Sequence, residues 1–215
     1  MPITHDIIGN ITIVRSVGRC EKNRKEIADT IMRIHRNVKT VLAQVGSVNG
    51  EFRTCELERI GGEDQSVTIH VESRCRFFVD VKKCYFSPRL SYERMRVAKQ
   101  VAGGETVVNM FAGVGCFSLI MVKHSNPLRV YSIDVNPAAA HFMRENTRLN
   151  EAYGVVVPIL GDAKKIVEQR LHGIADRVLM PLPEKAFEYL PYALLALKRT
   201  GGLVHYYDFE HAKKD

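Results

Sequence analysis

Several familiar features are missing from this 215-residue chain, and each absence removes a class of function. No run of 18 apolar residues occurs, so nothing predicts a membrane-spanning helix. The five cysteines, at positions 20, 55, 75, 84 and 116, form no C-x-x-C pair. Neither a zinc site nor a disulfide framework is indicated, and reduced thiols in a cytoplasmic protein are the expectation. The N-terminus lacks the basic-then-apolar pattern of a secretory signal, which agrees with that location. Internal repeats and low-complexity tracts are absent too. What is present supports globular domains: 46% hydrophobic residues can fill a real core, and the length holds one large domain or two modest ones.

Charge of one sign is unevenly spread. The net charge is +7, with 18 Lys and Arg against 12 Asp and Glu in residues 1–100 and 13 against 12 in residues 101–215. A basic excess in the first half fits a polyanionic partner held there. A soluble surface that happens to be basic fits as well, so charge alone decides nothing.

The first half reads as mixed α and β. Ile11 to Val14 is a short strand. From Glu21 to Leu42 the apolar Ile27, Ile31, Ile34, Val38 and Val41 recur every three or four residues and predict one helix. Its other face carries Arg24, Lys25, Arg33, Arg36 and Lys39, ordinarily a solvated stripe and alternatively a phosphate-contacting one. Ser66–Val71 and Arg76–Val81 alternate as paired strands. Ser87-Pro88 opens another helix, since proline is tolerated in a first turn.

From about Arg94 strands and helices alternate, with strands predicted over 106–111, 129–134, 155–160, 177–180 and 203–208. Alternation of this kind implies a doubly wound, mostly parallel sheet covered on both faces. The expected domains are 1–93, a small α+β unit, and 94–215, an α/β unit. The chain ends at HAKKD after the fifth strand, which predicts truncation at the C-terminus.

The chemistry is concentrated in residues 106–118, TVVNMFAGVGCFS. Here an apolar run breaks at Gly113-Val114-Gly115, the pattern of a strand turning sharply into a helix with backbone N–H groups facing a ligand. Asp134 ends the next apolar run, 21 residues after Gly113. A carboxylate at that distance lies beside the glycine turn and can accept both hydroxyls of a ribose. Dinucleotide sites favour G-x-G-x-x-G, whereas here bulky Phe117 follows Gly115 closely, a form common where no pyrophosphate must approach. S-adenosylmethionine makes no such demand. Asp162, in Gly161-Asp162-Ala163 after the third strand, can accept from an adenine amine.

HDIIGN (5–10), GEFRT (50–54), CYFSPRLSYERMRVA (84–98), NMFAGVGCFS (109–118), IDVNP (133–137) and DRVLMPLP (176–183) resemble the archaeal and eukaryotic tRNA (guanine-37-N1)-methyltransferases over nearly the whole chain. The resemblance implies a class I, Rossmann-like methyltransferase fold behind a smaller domain contacting the tRNA anticodon stem-loop. It implies a cytoplasmic enzyme, expected to be a monomer, using S-adenosylmethionine and no metal. Family members usually carry a further N-terminal domain, and nothing here corresponds to it.

The acceptor chemistry agrees with that family. N1 of guanine holds a proton at neutral pH and becomes nucleophilic when a base removes it. A guanidinium facing O6 then stabilises the charge that develops there. By resemblance Glu93 is the base, Arg53 the O6 partner and Tyr85 a residue packing against the reacting groups. Arg94, Phe111, Ala112, Gly113, Val114, Gly115, Asp134, Val135, Asp162, Ala163 and Pro181 surround the cofactor. For Glu93 the plain alternative is a helix-surface carboxylate paired with a nearby Arg or Lys.

Two positions depart from the family pattern. Pro181 stands where N-L-P is common, so an Asn that can hold the target base is replaced by a residue with no side-chain donor and no N–H. Base positioning then falls to the Leu182 N–H or a carbonyl. Asn109 replaces an acidic residue and removes a charge near the methionine amine. Competing readings follow. A close relative moves the aminocarboxypropyl arm of the same donor in wyosine synthesis, and another methylates carbon 7 of a wyosine intermediate. The other readings are a non-catalytic RNA-binding module and, more distantly, a dinucleotide oxidoreductase.

Overall fold

The computed structural model describes residues 4–15, 20–48 and 50–209, so HAKKD lies outside the described residues. The chain divides into two units, Met1–Tyr92 and Glu93–Asp215. Among the described residues no helix is long and apolar enough to cross a membrane.

The N-terminal unit contains β1 (His5–Ile8), β2 (Ile11–Val14), α1 (Glu21–Ile34), β3 (Thr40–Gln44) and β4 (Leu57–Gly62), with sheet order β1-β2-β3-β4. A separate antiparallel hairpin follows, β5 (Val67–Glu72) with β6 (Cys75–Asp80). β1 and β2 join through Gly9 at φ +57, where a Cβ would lie 2.4 Å from the Ile69 carbonyl oxygen. Only glycine fits that turn. α1 is the crossover between the parallel strands β2 and β3. Its inner residues Ala28 and Ile31 pack with Val14, Val38 and Val41.

The helix predicted over Glu21–Leu42 is therefore too long. It stops at Ile34, with the His35 N–H donating to the Ile31 carbonyl, and residues 40–44 form β3 instead. Val38 and Val41 are apolar because they belong to a buried parallel strand region, where hydrophobicity is nearly continuous. Ile34, read as core-facing, is exposed. Arg24 turns inward to Glu58 at 2.7 Å, whereas Lys25, Arg33, Arg36 and Lys39 are exposed.

α2 (Ser91–Ala98) follows a 3-10 turn at Pro88–Leu90, and the C-terminal unit begins within it at Glu93. Then come β7 (Thr106–Asn109), α3 (Cys116–His124), β8 (Arg129–Asp134), α4 (Pro137–Leu149) and β9 (Val156–Leu160). α5 (Ala163–Ile166) runs on as a π-helical turn to Leu171, and β10 (Arg177–Met180), α6 (Pro183–Ala196) and β11 (Leu203–Tyr206) complete the unit. The sheet order is β11-β10-β7-β8-β9 and every pairing is parallel. The chain winds outward from β7 to β9 and then restarts at β10 on the other side of β7. Ligands of such sheets bind beyond the carboxyl ends of the strands at this switch point. Val108, Ile133, Val178 and Met180 of the strands pack with Ala186, Ala193 and Ala196 of α6 and with Val167 and Leu171.

Candidate active site

The bend after β7 lies at the switch point. The Ala112 N–H donates to the Ile133 carbonyl at 2.8 Å and the Gly115 N–H to the Ala112 carbonyl at 2.9 Å. Gly113 and Gly115 have φ of +57 and +94. A Cβ on Gly115 would stand 3.1 Å from Met143 Cγ. Val114 is buried, and its carbonyl accepts from Asn146 Nδ2 at 3.0 Å. α3 then begins without a side-chain cap.

Asp134 closes the bend. Its Oδ2 accepts from the Gly113 N–H at 2.6 Å and its Oδ1 from the Asn136 N–H at 2.9 Å. The Gly113 N–H thus faces the carboxylate and not the ligand, which corrects the expectation that it points outward. Burial pushes the Asp134 carboxyl above its ordinary value of 3.8, opposed by these two N–H donors. A carboxylate offers about four acceptor positions, so two bonds leave capacity on each oxygen for a ribose hydroxyl. Asn136, unnoticed in the sequence, caps α4 by accepting from the Ala138 N–H at 2.9 Å.

Asp162 caps α5, accepting from the Lys164 N–H at 3.0 Å. The same oxygen accepts from Tyr189 Oη at 3.1 Å, and the Tyr189 ring meets Phe111 edge-on at 5.0 Å. Tyr189 therefore links two predicted cofactor residues, Phe111 and Asp162, although no spacing in the chain marked it. Ala163 is buried beside them and Val135 is exposed. The residues present fit an adenosyl group: a two-oxygen acceptor for the ribose, a second carboxylate for the amine, and an aromatic wall.

The two departures have structural consequences. Asn109 is fully buried and donates from Nδ2 to Ser118 Oγ at 3.2 Å, while its Oδ1 has no hydrogen-bond partner. The Leu182 N–H donates to the Met180 carbonyl at 2.8 Å. It is engaged within the chain, so the suggestion that it positions the base is not supported. Pro181 is half-buried at that tight turn.

Glu93, at the start of the C-terminal unit, is held from two sides. Arg96, three residues along α2, donates from Nε to Oε2 and from Nη2 to Oε1, each at 2.7 Å. Tyr207, just past β11, donates from Oη to Oε1 at 2.5 Å. The Arg96 hydrogen bonds, helped by Tyr207, hold the Glu93 carboxyl below its ordinary 4.5. The plain reading of Glu93 as paired with a nearby Arg is thus realised, together with a tyrosine that reading did not include. Arg94 is buried, with its guanidinium 6.0 Å from the Phe117 ring centre.

In the N-terminal unit Arg53 and Tyr85 come together. The Arg53 guanidinium stacks over the Tyr85 ring at 4.6 Å, beside a cavity of about 50 Å³ that Asp6, Arg15, Cys55 and Cys84 also line. Arg53 sits at φ +52, a conformation that is uncommon for residues other than glycine.

Comparison with known proteins gives the family. Residues 68–214 match the TRM5/TYW2 methyltransferase domain and residues 1–65 the TYW2 N-terminal domain. The tRNA (guanine(37)-N(1))-methyltransferase Trm5b of Pyrococcus abyssi is 44% identical over 97% of this chain and 61% of its own length. A crystal structure of that Trm5b has a TM-score of 0.82 over 94% of this chain and 59% of the other. The tRNA(Phe) (4-demethylwyosine(37)-C(7)) aminocarboxypropyltransferase of Methanocaldococcus jannaschii is 35% identical over 97% of this chain and 79% of its own. A crystal structure of M. jannaschii TYW2 in complex with AdoMet is 30% identical, with a TM-score of 0.70 over 94% of this chain and 75% of the other. The chain spans about three-fifths of the length of the Trm5b relative. With a switch-point glycine bend closed by Asp134 and a domain match running through it, this chain belongs to the TRM5/TYW2 methyltransferase family.

Proposed function

We propose that the chain transfers a methyl group from S-adenosylmethionine to N1 of the guanine at position 37 of tRNA. The observation that carries this reading is the Gly113–Asp134 closure at the switch point. Asp134 receives the ribose hydroxyls, Asp162 the adenine amine, and Phe111 with Tyr189 walls the adenine. The bound donor supplies an electrophilic methyl carbon on a sulfonium. Glu93 accepts the N1 proton, and Arg53, held by stacking on Tyr85, meets the negative charge this leaves on O6. Arg94 helps hold the donor. In-line geometry supplies much of the remaining acceleration.

The N-terminal unit contacts the anticodon stem-loop, and its exposed Lys25, Arg33, Arg36 and Lys39 supply phosphate contacts. Guanine 37 must leave its stack to be reached, which costs less in a loop than in a duplex. The working unit is a single chain in the cytoplasm.

A second reading is aminocarboxypropyl transfer at the same tRNA position. One observation favours it: the match of residues 1–65 to the TYW2 N-terminal domain. Mass spectrometry of a tRNA transcript incubated with the protein and S-adenosylmethionine decides between them. Added methyl on guanine 37 supports the first reading and the larger aminocarboxypropyl adduct supports the second. An unmodified transcript in the presence of bound donor counts against both.

A further inference from the structure

The contacts around Glu93 go beyond a single ion pair. Oε1 accepts from Arg96 Nη2 and from Tyr207 Oη, and Oε2 accepts from Arg96 Nε. Three of about four acceptor positions are therefore filled, and the one left is on Oε2. Tyr207 follows the carboxyl end of β11, on the same rim of the parallel sheet as the Gly113 bend and Asp134. Its ring also meets Phe117 at 6.4 Å, and Phe117 lies two residues after Gly115 in the first turn of α3. Tyr207 thus connects Glu93 to the edge of the donor site through contacts within one unit.

We propose that Tyr207 is the positioning residue for the Glu93 carboxylate, fixing its rotation with Arg96 so that Oε2 is the oxygen presented to the guanine N1 proton. This rests on the reading of Glu93 as the base. In the step, the N1–H bond breaks and the proton moves to Oε2. The electron pair left on N1 forms the bond to the methyl carbon as the donor's carbon–sulfur bond breaks and its pair stays on sulfur, which leaves as a neutral thioether. Tyr207 keeps its own proton throughout, because burial and the neighbouring carboxylate raise its phenol well above the ordinary value. His205, on β11, is a further titratable group near Glu93. Burial, and the Arg177 guanidinium whose Nη1 lies 2.8 Å from its Nε2, lower its pKa.

The test is a carboxyl-carbon NMR titration of Glu93, its resonance assigned by its disappearance in Glu93→Gln. Tyr207→Phe removes one charge-assisted hydrogen bond and should raise the Glu93 midpoint by about one pH unit, a tenfold change in proton affinity. Arg96→Gln should raise it further. The acid limb of the methylation rate with a guanine-37 transcript should move upward by the same amount, with donor affinity unchanged. If Tyr207→Phe lowers stability but leaves the midpoint where it was, the tyrosine is merely structural and the proposal fails. Should Tyr207→Phe not fold, an unmoved midpoint in Arg96→Gln overturns the proposal equally. Full activity of Glu93→Gln with a shifted midpoint in Tyr207→Phe would instead refute the base and leave the positioning contact standing.

Discussion

At Asp134 burial and hydrogen bonding pull in opposite directions, and burial prevails. The ionised form is the one that can accept two hydroxyls, so the donor binding proposed above calls for it. Because the folded carboxyl titrates above the ordinary 3.8, donor affinity should begin to fall, as pH is lowered, before an exposed aspartate would protonate. Calorimetry with S-adenosylhomocysteine at decreasing pH should show that early loss; affinity flat down to 3.8 would contradict it. Asp134→Ala should weaken binding roughly 10- to 100-fold, the worth of one or two charged hydrogen bonds. Glu93 behaves in the opposite sense. Its folded carboxyl lies below its unfolded value, so it contributes stability above about pH 4.5 that is lost as pH falls through the folded midpoint. Glu93→Gln should therefore melt below wild type at neutral pH, with the gap closing in acid. The same variant should lower the chemical rate roughly 10²–10⁴-fold with donor affinity kept.

The glycine bend is the element on which the proposed donor site depends. Gly115→Ala must hold a left-handed conformation and press on Met143. It should cost about 1–3 kcal/mol in denaturant unfolding and weaken donor binding as well. Unchanged stability would show that the bend relaxes without loss. This element was legible from residues because a strand, a turn and a helix impose local rules, and Gly113 to Asp134 spans one βα unit. The region from Val38 to Leu42 was not legible. Its apolar spacing satisfies a helical period and a buried strand equally, and pairing with β2 decided it. β1 was missed because it has only four residues, and β4 because LERIGG shows no apolar alternation and ends in two glycines.

At the scale of the whole chain, charge divides differently from the first count. By structural unit, residues 1–92 hold 15 Lys and Arg against 11 Asp and Glu, and residues 93–215 hold 16 against 13. Net charges of +4 and +3 leave little asymmetry, so phosphate contact must be argued from placement. Alanine at Lys25, Arg33 or Arg36 should weaken tRNA binding and reduce the salt-dependence slope by roughly one each. Arg24→Ala, removing an arginine already paired with Glu58, should reduce it less. Slopes left at the wild-type value for Lys25, Arg33 and Arg36 would mean that these side chains do not meet RNA. Tyr207 belongs to this scale as well, since 114 residues separate it from Glu93 and no local pattern could join them.

The central claim is that Asp134 and Asp162 hold an adenosyl donor over the Gly113–Gly115 bend. A crystal structure of the protein with S-adenosylhomocysteine tests it most directly. The account predicts both ribose hydroxyls on Asp134 and the adenine amine at Asp162. The ligand bound elsewhere, or no ligand at saturating concentration, would contradict it.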